Sequence, residues 1–481
     1  MTLTGITRAL MRYLFSKNVL IIFLMISAAY LTGLLWFERI SSNRNFFYTL
    51  MEAVTPTPIL PEGFEQPFVE PMRIVTGFGN RSYIVDYLTD GNPAHTAHSV
   101  LRQAVSNAAY THTIDLDWPA LLLPASYVLD YPVRIPREMI SGAWGTRDSA
   151  ITRQVAGFCA IIISPGITSA DGITITFTDS AYGLAHLFRL ENDALRIALR
   201  AEITAAQDQE AEILFSASSE VAAHMFHGNV FIPIFGGDSL TYNLLRAVSP
   251  YAGQDGRVQA GSILPRISSL FAAPAAITVN TNDNEFIFSD EHTVVRFSRG
   301  FSHGSILEYS NHRSFRHPRA LTLGEAYGVA RAFIQADALL PGRTYLESFS
   351  EEDGAFIFSF GVAAYGFPVI MPTHLRHQHG MHSPVEVTVR GGIVANYRKW
   401  GQAFERAHMR ETATIGFFGV YDNILDSRTH PGVLTTGTPP YVNSVALAFY
   451  PHHHSLNNTL SLMWDLRLDG IRYIEPTGRV R

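Results

Sequence analysis

Three features of this chain have the residue types and spacing to do chemistry: a serine set between glycines and two groups of histidines. Gly300-Phe301-Ser302-His303-Gly304 matches the G-x-S-x-G elbow of serine hydrolases. The elbow works because a strand turns sharply into a helix, lifting the serine above a helix N-terminus that helps stabilise an oxyanion. A strand does precede the motif, at Val294 to Phe297, but Ser305-Ile-Leu-Glu-Tyr-Ser-Asn311 reads as a second strand. A glycine-edged hairpin turn with Ser302 facing water is therefore expected, and a nucleophilic Ser302 is the alternative. His374, His377, His379 and His382 fall within nine residues, and His452-His453-His454 come later. Neutral imidazoles bind zinc or copper, so such a run offers a ligand set. However, no cysteine is near, and the H-E-x-x-H helix of metalloproteases is missing. The run between Pro372 and Pro384 is expected as a loop of solvated or partner-facing histidines, with metal ligation the alternative. A weak pH-sensing role is open to them, since imidazole titrates near neutrality. Glu351-Glu352-Asp353 reads as a solvated turn, and no P-loop lysine, dinucleotide fingerprint or EF-hand loop is present, so no cofactor is expected.

The most informative positioning element is the uncharged stretch 18–37. Twenty such residues at ~1.5 Å rise make a helix of about 30 Å, the thickness of a bilayer's hydrocarbon core. Arg8, Arg12 and Lys17 precede it, so the positive-inside bias keeps the short N-terminus in the cytoplasm and the remainder outside. A cleaved signal peptide would have an apolar region of only about 7–15 residues. No clean Ala-x-Ala site comes after it, so an uncleaved anchor in the cell membrane is expected. Ala29 and Gly33 form a small-xxx-small pair, with Ile22, Met25 and Trp36 on the same stripe. Such a stripe lets helices approach closely in lipid, so Met25, Ala29, Gly33 and Trp36 are the expected partner-packing face.

Apolar content of 47% over 481 residues is ample for packed cores, which excludes a disordered tether. The net charge of −6 and the lack of a basic run argue against a nucleic-acid partner. Cys159, the single cysteine, cannot form an internal disulfide and reads as a small core hydrophobe. An exported protein so built must be held by packing alone, which suits a bacterial envelope.

The fold class expected is α+β: one N-terminal transmembrane helix, then extracytoplasmic domains with mainly antiparallel sheets and packed helices. The divisions are a cytoplasmic 1–17, the anchor 18–37, a Pro-rich spacer 38–71, an α+β domain 72–184, a middle domain 185–315 and a helix-plus-sheet domain 316–481. Within them, Ile74 to Tyr87 reads as a hairpin broken at Gly79-Asn80. From Pro93 a helix is expected, because Ala97, Val100, Leu101, Ala104, Val105 and Ala108 share one face. Phe158 to Ile163 reads as a buried strand. Ile173, Ile175 and Phe177 alternate with threonines, as in a half-exposed one. Leu195-Arg-Ile-Ala-Leu-Arg200 fits either period. Thr322-Leu-Gly-Glu325 is a capping box opening a helix, and Gly391-Gly392 is a two-residue turn between alternating segments.

The layout resembles the YycH family, membrane-anchored regulators of the YycFG (WalKR) two-component system of Gram-positive bacteria. The resemblance is carried by the single anchor, Trp118-Pro-Ala-Leu-Leu…Leu129-Asp-Tyr-Pro-Val-Arg-Ile-Pro136, the hairpin Phe286 to Tyr309, and Tyr365-Gly-Phe-Pro-Val369 before the Gly391-Gly392 turn. The late half also resembles YycI and YpeB-type domains, where a helix packs on a hairpin-rich sheet. The resemblance implies a non-enzymatic protein that restrains a sensor histidine kinase together with a YycI-like co-regulator, with no catalytic residue to carry over. The competing classes are an exported serine or metal-dependent hydrolase and an envelope ligand-binding or peptidase-inhibiting module.

Overall fold

The computed structural model describes residues 69–477, apart from 80–81, 87–91, 144–148, 208–212, 217–225, 227–229, 234–239, 254–256, 272–273, 283–284, 299–303, 313–320, 338, 427–440 and 452–458. Among the described residues the strands gather into two sheets. The first has nine, in the spatial order Ala109–Asp115, Leu184–Leu190, Ile173–Asp179, Gly157–Pro165, Ala125–Pro136, Arg73–Phe78, Tyr83–Asp86, Ile213–Ser216 and Phe231–Pro233, every neighbour antiparallel. Helices Asn92–Asn107 and Asp193–Gln207 cover one face. The stripe read from the sequence is the one buried: Ala97, Val100 and Leu101 are fully enclosed. The core beneath is joined across strands by edge-to-face rings, Tyr131–Phe158–Phe177–Phe188, at centroid distances of 5.2, 5.3 and 5.6 Å.

The open period at 195–200 resolves as helix. Asn192 caps it, its Oδ1 accepting from the Leu195 N–H at 3.0 Å, and Leu199 and Ile203 fall on the sheet. The strand expected to be half-exposed is covered on both faces. Thr176 and Thr178 are 3% and 0% exposed, because they lie beside Ile162 and Ala160 under a second cluster built on Trp118, Val128 and Phe231. Thr178 satisfies its buried hydroxyl by donating to the Ala160 carbonyl at 3.2 Å.

Among the described residues the second sheet has fourteen strands, all contributed from Leu240 onward. Its hairpins match the sequence reading: Glu285–Ser289, Thr293–Ser298 and Ile306–Asn311 form a meander, and Val385–Arg390 turns through Gly391 and Gly392 into Ile393–Trp400. Among the paired strands described, one couple is parallel, Phe367–Val369 with Val442–Pro451. Helix Leu323–Gln335 opens with the expected capping box: Thr322 accepts from the Glu325 N–H, and Glu325 accepts from the Thr322 N–H. Its stripe of Ala326, Tyr327, Ala330 and Ile334 is buried.

The two sheets define two lobes, and residues 185–315 contribute strands to both. The lobes meet where helix Arg137–Ala143 packs on helix Leu323–Gln335, burying Met139 and Ile140 completely against it. No helix of the described residues is long and apolar enough to cross a membrane. The expected anchor, with Met25, Ala29, Gly33 and Trp36, lies outside the described residues.

Candidate functional site

Of the residues nominated from the sequence, Ser302 lies outside the described residues, but its flanks do not. Strands Thr293–Ser298 and Ile306–Asn311 are antiparallel neighbours, closed by Ser298, whose Oγ accepts from the Ile306 N–H at 3.1 Å. The segment after Gly304 is thus strand, whereas an elbow needs a helix there. Gly304 has φ +127°, and a Cβ on it would come within 2.2 Å of the Trp400 indole nitrogen, so only glycine fits.

The run bracketed by Pro372 and Pro384 is not the loop expected of it. Thr373–His379 is a short helix: Pro372 stands at its N-cap, Gly380 closes it in the left-handed region, and Leu375 anchors it inward. His374, His377 and His379 ride on this helix, and His382 comes after it with its N–H donated to Glu386 at 2.5 Å. Among the described residues no three His, Cys, Asp or Glu side chains gather as a metal set. His379 is shifted down, chiefly by burial. The His452–His454 run lies outside the described residues.

The fold does assemble a junction between the lobes. On one side it is shut. Val69 is buried, and Glu70, in the stretch that composition assigns to the spacer, reaches Arg343 at 2.6 Å and Arg331 at 3.5 Å, both in the second lobe. Arg73, 3% exposed, pairs with Asp130 at 2.8 Å and extends toward the Val445 carbonyl at 3.4 Å, tying the first sheet to the second. Both charges of that pair are out of water, so each depends on the other. Tyr131 and Tyr327 stand at the same seam, and burial raises both phenols, Tyr327 to about 12.

Beside this seam, and bordered by Arg73, Asp130 and Tyr131, the junction opens into a cleft of about 320 Å³. Its first-lobe wall is the irregularity between Asp130 and Ile135, where the chain departs from its partner strand and turns Pro132 to Arg134 toward the second lobe. Arg134 forks onto Asp179, at 3.1 Å from Nε and 2.8 Å from Nη2, with its guanidinium over the Tyr182 ring at 5.2 Å. Cys159, expected in a core, lines this wall; burial pushes its thiol up, partly offset by the Ser180 N–H. The second-lobe wall is the cross-strand row Ser444, Arg467 and Arg472, with Ala446 and Asp465 below. None of these positions has a spacing motif, because the walls come from segments far apart in the chain. The local signal nearest to them is Leu129-Asp-Tyr-Pro-Val-Arg-Ile-Pro136, which carries a family resemblance rather than a site pattern.

A separate buried charge unit, Lys399 with Asp337 and Tyr397, sits inside the second lobe and lines no part of the cleft. Burial lowers the Lys399 ammonium while Asp337 opposes the shift.

No protein-family model matches the sequence, and no curated protein matches it. Among solved structures, YycH from Bacillus subtilis superposes with a TM-score of 0.52 at 12% identity, covering 85% of this chain and 96% of that one. The fold resembles that of YycH. Because 85% of the chain exceeds either lobe, the YycH-like fold spans both lobes and the junction between them. An uncharacterized protein from Eubacterium rectale matches at a TM-score of 0.32 and 9% identity, covering 56% of this chain and 87% of that one. The YpeB C-terminal domain of Bacillus megaterium matches at 0.22 and 11%, covering 49% and 80%.

Proposed function

We propose that this chain is a membrane-anchored, extracytoplasmic regulator of a sensor histidine kinase, acting by protein–protein contact beside a YycI-like co-regulator. The observation that carries the reading is the YycH-like fold over both lobes. The apolar stretch 18–37 and the charges before it support the placement in the membrane, N-terminus inward. Physically, such a regulator biases a two-state kinase only through a difference in its affinity for the two states. The anchor supplies one contact, through Met25, Ala29, Gly33 and Trp36, and the lobes supply the other outside.

The test is co-expression with the candidate kinase and its response regulator. Deleting the chain should change the phosphorylated fraction of the response regulator, and Gly33→Leu should leave insertion intact while reducing co-purification with the kinase or co-regulator. A phosphorylated fraction indifferent to the chain would overturn the reading.

A further inference from the structure

The cleft between the lobes has an uneven account of donors and acceptors. Its carboxylates are engaged. Asp130 accepts from Arg73, and Asp465 accepts two bonds from Arg472 at 2.7 Å each. Glu347 accepts from Ser383 at 2.7 Å and stands 3.9 Å from Arg472. Several donors are not engaged. Arg467 has no hydrogen bond or ion pair among the described residues, and neither does the Ser444 hydroxyl beside it. Arg134 spends Nε and Nη2 on Asp179, leaving Nη1 without a bond among the described residues. The Ser180 hydroxyl is buried with no partner among them, which costs free energy unless something in the cleft bonds to it.

The strand register sharpens the imbalance. Arg467 is directly opposite Arg472 on the neighbouring strand, and like charges so placed destabilise a sheet. Asp465 neutralises Arg472 through both its oxygens, so nothing is left for Arg467. A wall with spare cationic donors, whose carboxylates already accept from arginine or hydroxyl donors, matches a ligand that brings negative charge. Clefts at lobe interfaces are common ligand sites, and this volume falls at the small end of the range of roughly 300–1,000 Å³.

We propose that the cleft binds a small organic anion, a carboxylate or a phosphate, held by Arg467 and Ser444 of the second lobe and by Arg134 and Ser180 of the first. The ligand bridges the two walls and so favours one relative setting of the lobes. This inference stands whether or not the chain regulates a kinase.

The experiment titrates the purified full chain with citrate and, separately, with inorganic phosphate, at ionic strength held constant with sodium chloride. Binding is read by calorimetry, and backbone hydrogen exchange is read on both walls. Saturable binding of citrate alone assigns a carboxylate ligand, and of phosphate alone a phosphate; either supports the site. Arg467→Met should weaken the responding anion at least tenfold, while Arg390→Met, an exposed arginine on another strand, should change nothing. Protection should appear in both walls, at residues 133–134 and 471–473. Saturation by neither anion, undiminished binding by the Arg467→Met chain, or protection confined to one lobe would each overturn the proposal.

Discussion

Along the lobe junction, arginines are met in two ways. At the seam Arg331 and Arg343 are matched to Glu70, and Arg73, which also borders the cleft, is matched to Asp130. On the open side Arg467 faces another arginine and has no acid among the described residues. The difference teaches where charge serves to hold the lobes together and where it is left available. A matched buried pair adds little net stability over an apolar replacement, but breaking it exposes the full cost of an orphaned charge. An exposed, unmatched arginine costs almost nothing to remove.

The contrast breaks if substitutions on the two sides have similar effects. The largest loss is expected from Arg73→Met, which strands a carboxylate that is 4% exposed; about 3–5 kcal/mol should disappear in chemical denaturation. A loss under about 1 kcal/mol would mean that Asp130 finds water or another cation. Glu70→Gln comes next, at roughly 1.5–3 kcal/mol, the worth of hydrogen bonds to a charged group. Its signature is faster hydrogen exchange in helices Arg137–Ala143 and Leu323–Gln335, with the outer strands of each lobe unchanged.

Alkali should also attack the seam. Tyr131 and Tyr327 keep their protons in the folded chain above the ordinary phenol value of about 10. The folded state then binds more protons than the unfolded one, so their contribution is full below pH ~10 and falls as pH climbs toward the raised values. Lys399 works in the opposite sense just below the ordinary lysine value, because its lowered affinity for a proton makes stability rise with pH there. Tyrosinate absorbance should appear together with unfolding rather than before it, and Tyr327→Phe should flatten the fall. The smallest effect belongs to the open side. Arg467→Met and Ser444→Ala should each stay within about 0.5 kcal/mol of the parent.

Much of the fold was legible where one local rule decides. Thr322 with Glu325, the paired glycines at 391–392 and the apolar stripe from Ala97 to Ala108 each determine an element within a few residues. Legibility failed where the deciding contact is distant. Leu195 to Arg200 has both periods, and the sheet under Leu199 and Ile203, with the Asn192 cap, selects the helix. Thr176 and Thr178 look solvent-facing until Trp118 and its neighbours cover them. The histidine run becomes helical because Leu375 and Met381 have somewhere to be buried. The cleft was illegible for the same reason: its walls lie in opposite halves of the chain, and an arginine's lack of a partner has no sequence signature.

The position of Val69 to Arg73 also has a mechanical consequence. Over this short stretch the backbone is gripped by the second lobe through Glu70 and by the first through Arg73 and the Met72 N–H, which donates to the Asp130 carbonyl at 2.8 Å. A pull arriving along the chain at residue 69 is therefore shared by both lobes in parallel. It loads the arginine grips before it can peel any strand from either sheet.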